Sequence, residues 1–311
     1  MKSALRVMSY NVRYFGHALK GLASTRRSQR GIASRLALLD PLADVVCLQE
    51  IETISLRSRV AFRGVHRAET QLAAFMHEMG SAFGVTRASP YEGFYFRAHV
   101  NQLRGLPIST TGLAILVNTR RLRVDHHNVE APERITHHQV ELWKDRKQTR
   151  ICAHMRITTP LGPLHVFNTH LSLPSPFARA FWSERMRMGW GPNQLHEART
   201  LATFVRRHAS REPFIVCGDF NSAPSSPVFR YLTEEAGFAC AQATLGQIDP
   251  DDPRAFPTAG FMRLRMHLDH LFFGNGVSFL DLDDTVRYGD RRGVFAGLSD
   301  HVPLIGRFRL G

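Results

Sequence analysis

Residues Phe214–Pro224, FIVCGDFNSAP, form an apolar run that stops at Gly218 and delivers a carboxylate, Asp219, and a carboxamide, Asn221. An apolar run bounded by turn formers reads as a buried strand. On an extended backbone the side chains at i and i+2 share a face, so Asp219 and Asn221 are expected to point the same way. The pair sets a negative oxygen, fit for a cation or a proton, beside a neutral donor for an anionic substrate oxygen. That combination suits hydrolysis of a phosphate ester. Asp, Asn, Ser and Pro are also ordinary turn residues. Ser226-Pro227 accordingly reads as a helix start, with serine as N-cap and proline at the first helical position.

Working outward, the same arrangement recurs. Ser9-Tyr10-Asn11-Val12-Arg13 closes a first strand, and Asp44 to Glu50 is a second apolar strand ending in a carboxylate. Asn168-Thr169-His170-Leu171 ends a third, His267-Leu268-Asp269-His270 opens a fourth, and Leu298 to Pro303, with Asp300 and His301, precedes a last strand over Leu304–Leu310. Each polar group sits where an apolar run meets a loop, the place where a rigid sheet displays catalytic residues. Helical spacing appears over Ser28–Leu39, over Glu69–Met79 with Gly80 placed as a C-cap, and over Gln194–His208. Between them lie short β-like runs at Leu113–Val117, Leu122–His126, Arg150–Ile157 and Leu164–Asn168, the last two joined by a hairpin signal at Leu161-Gly162-Pro163. Periodicity alone gives a sheet-rich α/β or α+β chain.

Together these five fragments resemble the endonuclease/exonuclease/phosphatase superfamily of metal-dependent, deoxyribonuclease I-like phosphoesterases, from Val7 to Arg309. The resemblance implies a four-layer α/β/β/α sandwich of two packed mixed sheets flanked by helices, with the site at one rim. It also implies Mg2+ or Mn2+ held by the matching Glu50. Asn11 would complete the metal's surroundings or hold a phosphate oxygen, and Asp300 maps to a carboxylate near the metal. Asp269 would fix the tautomer of His301, which faces the scissile phosphate as base or charge stabiliser. His170 matches a second phosphate-facing histidine. Asp219 would orient or deprotonate water, or protonate the leaving oxygen, and Asn221 would hold the phosphate.

Other clusters read as structure. Adjacent histidines in a strand, as at His126-His127 and His137-His138, point to opposite faces and chelate one ion poorly. His270 is expected to pack beneath the site. Four cysteines, at 47, 152, 217 and 240, lack CxxC spacing and read as reduced core residues. No Pro/Gly/Ser-rich linker or repeat divides the 311 residues, so one catalytic domain over 1–311 is expected. The chain starts without an apolar signal core and has no stretch near the roughly 20 apolar residues of a membrane span, which points to a cytoplasmic protein, expected to be a monomer.

The formal net charge is +13, from four lysines and 36 arginines against 27 acidic residues. Arginine's planar fork binds phosphate in bidentate fashion, so this surface suits nucleic acid or an anionic lipid surface; coding bias with solvated charges accounts for it equally. Two segments are expected to be specificity insertions. Residues 172–193 carry Phe177, Phe181, Trp182 and Trp190 among Arg179, Arg185 and Arg187, a mixture that stacks bases, inserts into lipid or folds over the core. Residues 89–109 carry Tyr91, Phe94, Tyr95 and Phe96 and are expected to border the same rim. The functional expectation is a divalent-metal-dependent phosphodiesterase acting on nucleic acid. The alternatives are a lipid or inositol phosphoesterase of sphingomyelinase or polyphosphate phosphatase type, and a catalytically inactive binding module.

Overall fold

The computed structural model describes residues 4–15, 21–55, 71–84, 88–103, 106–136, 149–174, 188–253, 255–261, 264–283, 288–289 and 293–311. One sheet contains β1 (Leu5–Asn11), β2 (Val45–Ser55), β3 (Tyr91–Leu103) and β4 (Leu106–Asn118). A second contains β5 (Arg123–His127), β6 (Glu133–Arg134), β7 (Ile151–Thr159), β8 (Gly162–His170), β9 (Phe214–Asp219), β10 (Ala239–Cys240) and, beyond the small β11 (Ala259–Phe261) and β12 (Leu264–Met266) pair, β13 (Asp269–Gly274). The chain then returns to the first sheet through β14 (Val277–Leu282) and β15 (Leu304–Leu310). The strand orders are β14-β15-β1-β2-β4-β3 and β10-β13-β9-β8-β7-β5, with β6 against β7. Among the described residues only β1/β2 and β8/β9 pair in parallel, so both sheets are mixed.

Apolar residues on alternate faces of the same strands explain why these runs are nearly continuous. In β2, Val45 and Cys47 enter the core between the sheets, whereas Val46 and Leu48 pack outward with Ile32, Leu36, Phe75 and Met79 of α1 (Gly21–Ala37) and α2 (Gln71–Phe83). In β9, Ile215 and Cys217 face inward, while Phe214 and Val216 meet Ala198, Leu201, Ala202 and Val205 of α3 (Pro192–Ala209). A strand covered on both faces reads as an unbroken hydrophobic run. The result is two face-to-face mixed sheets with helices outside each, as the resemblance implies. All four cysteines are free and buried. No helix among the described residues is long and apolar enough to cross a membrane.

Two local expectations are corrected, and the 89–109 segment is given its place. Gly80 does not cap α2. The helix runs on to Phe83 because Ala82 and Phe83 pack against the core cluster under the first sheet, and Gly84, at φ 80°, ends it. Residues 89–109 fall largely on two paired strands. Tyr91 to Leu103 is the edge strand β3, paired with β4, and its Tyr91 and Phe96 are buried, so the aromatic run is core and strand signal. Asp219 and Asn221 do not share an extended backbone either. β9 ends at Asp219, and Asn221 adopts φ 46° with its N–H donating to Asp219 Oδ1 at 2.9 Å, an Asx-type turn. Ser226 and Pro227 do start a short helix, Pro227–Arg230, with the serine hydroxyl accepting from Phe229 N.

Candidate active site

Strand register assembles most of the site. His170 pairs with Asp219 across β8/β9, and Asp219 pairs with Asp269 across β9/β13, so three side chains line one rim of the second sheet. Asn11 ends β1 of the first sheet and Glu50 lies beside it in β2. The β2–β4 register slips between Gln49 and Ile51, and Glu50 occupies φ 58°. A bulge re-aims one side chain without ending the strand, and a non-glycine residue in the left-handed region is an uncommon and costly conformation. It turns the Glu50 carboxylate to the rim. Buried amides lock the sheets together just behind: Asn168 Nδ2 donates to the carbonyls of Leu48 and Ala114, both at 3.0 Å, and Gln49 Nε2 donates to Asn168 Oδ1 at 2.8 Å.

Asn11 Nδ2 bridges the sheets, 3.1 Å from Glu50 Oε1 and 3.0 Å from Asp219 Oδ2. His301 Nδ1 lies 2.9 Å from Asp269 Oδ2, and its Nε2 is 3.7 Å from Asp219 Oδ2. His170 Nε2 is 3.5 Å from Asp219 Oδ2 and 3.9 Å from Glu50 Oε1. Asn221 Nδ2 stands 3.1 Å from that same Nε2 and donates to Leu171 O. Seven of the expected site residues thus meet in one largely buried cluster, with Asp300 at its border. The Asp300 carboxylate is paired with the Arg13 guanidinium, and Glu50 feels it only through space. Trp182 lies outside the described residues. Trp190 is 51% exposed, on the stretch whose Met188 carbonyl accepts from Ala223 N beside Asn221.

Burial pushes the Glu50 carboxyl up, against the Asn11 hydrogen bond and the charges of His301 and Arg150. Asp219 is pushed up to about 7, by burial first and by Asp269 second. Burial would lower His301, but Asp269 and Asp219 outweigh it and carry the imidazole up to about 10. His170 is held well below its ordinary value by burial, then by Arg150 and His301. The site therefore contains a cationic imidazole, a neutral one, and a carboxylate poised near neutrality. Strongly displaced acids and bases in one cleft are the usual mark of a functional site.

The donor set fits a hard divalent cation. Glu50 is a half-buried carboxylate that accepts a hydrogen bond from an amide, and Asp269 Oδ1 is buried without a hydrogen-bond partner. One ligand atom from each of Asp219, Asp269 and His301 also lies within 4.8 Å of the others. Of the two groupings, Glu50 with Asn11 suits an oxygen-seeking ion better, since His301 already holds a proton between two carboxylates.

Three contributors are absent from the sequence reading. Thr258 Oγ1 accepts from the N–H groups of Leu268 and Asp269 and fixes the start of β13. Ser299 Oγ donates to Asn11 O and ties the last loop to β1. Arg150 Nη1 reaches His170 Nδ1 at 3.1 Å. Thr258 lies in a loop without pattern, Ser299 adjoins a recognised motif, and Arg150 resembles any charged strand-end residue, so only the last two carry any sequence signal. The histidine pair at 126–127 behaves as expected, His126 against His154 and His127 against Phe94, while His137-His138 lies outside the described residues. His270 is fully buried among Phe220, Phe229 and Phe272 and does pack beneath the site.

A family model, the Endonuclease/Exonuclease/phosphatase family, matches residues 8–301. The chain belongs to this family. Members of this family are phosphoesterases. A search of curated proteins by sequence found no match. Among solved structures, the catalytic domain of human Nocturnin with bound sulfate superposes with a TM-score of 0.62 at 17% identity, over 99% of this chain and 95% of that one. ANGEL2, described as a 2′,3′-cyclic phosphatase and solved with adenosine-2′,3′-vanadate, gives 0.62 at 18% identity over 99% and 96%. A humanised D. rerio TDP2 gives 0.55 at 17% over 98% and 99%. At these identities the likeness concerns the fold.

Proposed function

We propose that residues 1–311 act as one catalytic domain, a divalent-metal-dependent phosphodiesterase that hydrolyses phosphate esters of nucleic acid. The observation that carries the reading is the buried meeting of Glu50, Asn11 and Asp219 with His170, Asn221 and the Asp269–His301 pair. Glu50, with Asn11 beside it, would hold Mg2+ or Mn2+. When bound, the ion supplies Lewis-acid stabilisation of charge on the phosphoryl and leaving oxygens. Asp219, poised near neutrality, takes a proton from the attacking water or returns one to the leaving oxygen. His301, kept protonated by Asp269, donates to a phosphoryl oxygen through Nε2. Arg150 Nη1 and Asn221 Nδ2 stand 3.1 Å from the two ring nitrogens of His170 and hold the ring beside the same oxygens.

Support for nucleic acid comes from the arginine-rich charge of +13 and from the adenosine-based vanadate that ANGEL2 binds. Leu173 and Trp190, 59% and 51% exposed at the two ends of the 172–193 segment, support the second reading, a lipid or inositol phosphoesterase. The test is turnover, with Mg2+ or Mn2+ and with an EDTA control, of plasmid DNA, RNA, sphingomyelin and inositol phosphates. EDTA-sensitive hydrolysis of DNA or RNA, abolished in His301→Ala and Asp219→Ala with native circular dichroism, is expected. Hydrolysis confined to lipid or inositol phosphates would replace the substrate assignment. Near-full activity in either variant would overturn the mechanism.

A further inference from the structure

Beside the Glu50–His170 wall the rim opens into a pocket lined by Tyr14, Glu50, Leu113, Thr149, Arg150 and His170. It lies on the Arg150 side of His170, lined by Glu50 and His170 of the proposed site and by neither Asp269 nor His301. Its distinctive member is Arg150. The guanidinium is partly buried, and among the described residues it makes no ion pair. One of its donors is spent on a neutral imidazole nitrogen, His170 Nδ1, and its Nε is buried with no hydrogen-bond partner. Glu50 acts on this guanidinium through space without bonding to it, and a partly buried guanidinium with donors left over, its fork fixed against a rigid strand end, is completed by an anion.

Resting on the nucleic-acid reading, we infer that this pocket is a second phosphate subsite, in which Arg150 receives a phosphate group next to the one being hydrolysed. Arg150 bonds to His170, and Glu50 stands 3.9 Å beyond the far nitrogen of that ring, so a substrate held at Glu50 has its next anionic group within reach of the guanidinium. The planar fork offers two parallel donors to phosphate oxygens, a geometry a lysine cannot reproduce. Glu50 on the pocket wall opposes a lone phosphate there, so the subsite favours an anion already tethered to a group at the metal position over free phosphate. In a polynucleotide that anion is the neighbouring backbone phosphate on the 5′ or the 3′ side; in a short substrate it is a terminal phosphate.

The test uses phosphorothioate-linked dithymidylates, unphosphorylated, 5′-phosphorylated and 3′-phosphorylated, titrated calorimetrically into the full chain with Mg2+ in excess. One phosphorylated form is expected to bind about tenfold to hundredfold more tightly than the unphosphorylated one, the range of a charge-assisted hydrogen-bonded contact. Which form gains identifies the side of the scissile bond. Arg150→Gln should erase the gain, read as the ratio of phosphorylated to unphosphorylated affinity within the variant, and Arg150→Lys should restore part of it. Equal affinities of all three ligands for the wild-type chain would overturn the inference without any variant, as would a gain that survives Arg150→Gln. The substrate reading is judged separately by turnover of DNA and RNA. If turnover is confined to inositol phosphates, the same increment is measured between inositol mono- and bisphosphates, and its absence overturns the subsite.

Discussion

Acid stability should report on a buried histidine far from the rim. His154 in β7 is 1% exposed, stacked on His165 and Phe167, with its Nε2 2.9 Å from His165 Nδ1. His165 Nε2 lies 2.7 Å from Glu212 Oε2, so the proton order runs from His154 to His165 to the carboxylate that Arg156 also holds. Burial, aided by His165, His208 and His126, pushes His154 down to about 3. The unfolded imidazole titrates near 6.5. Between these values the unfolded chain carries a proton that the folded chain lacks, so stability is lost as pH falls through 6.5 toward 3. The slope is about 1.4 kcal/mol per pH unit, which gives about 2 kcal/mol between pH 7 and pH 5. Against a total of roughly 5–15 kcal/mol, that is a large fraction. His154→Gln keeps a donor for His165 and cannot titrate; loss of the ring stacking should cost it about 1 kcal/mol at pH 7. Urea midpoints at pH 7, 6 and 5 should show the variant overtaking the wild type as the pH falls. Parallel losses in both proteins would refute the argument, since every other titrating group is common to the two.

Three further outcomes follow from the site and its frame. Glu50→Gln should weaken Mn2+ binding, read by calorimetry, by at least about tenfold with native circular dichroism; unchanged binding would move the ion to the Asp219–Asp269–His301 side. Asp269→Asn removes the carboxylate that fixes His301 and should lower kcat by about a thousandfold with little change in KM, by analogy with other histidines deprived of an orienting carboxylate; a loss under threefold would refute the pairing role. Gly218→Ala would place a methyl group 2.2 Å from Thr169 O across the β8/β9 ladder. It should cost about 1–3 kcal/mol, or about 2–4 °C in Tm for each kcal/mol, by calorimetry; an unchanged Tm would show that the strands separate freely there.

The fold was legible wherever burial on both faces made a strand continuous. Val45 to Leu48 and Phe214 to Cys217 needed no partner information, because each residue finds apolar neighbours on one side or the other. Boundaries were less so. Gly80 looks like a helix end, but a glycine in open space costs a helix only about 1 kcal/mol, and the packing of Ala82 and Phe83 outweighs that. The aromatics of 91–96 were ambiguous for a related reason: a β-prone aromatic run has the same composition whether it lines a groove or fills the core, and only tertiary burial of Tyr91 and Phe96 decides.

The site was legible at strand ends and dark between them. Asn11, His170, Asp219, Asn221, Asp269 and His301 each lie within two residues of a strand terminus named in the sequence reading or in a motif quoted there, and register brings them together. What pattern does not encode is who neutralises whom. Asp300, read as a metal-proximal carboxylate, is paired with Arg13, two residues after Asn11, on a stretch where Arg13, Tyr14 and Phe15 all adopt positive φ. On the proposed reading, a guanidinium already supplying positive charge to Asp300 lowers that carboxylate's call for a divalent ion and leaves the ion to Glu50, whose direct hydrogen-bond partner is an amide. Arg150, opposite it across His170, then marks the direction in which an anionic substrate continues.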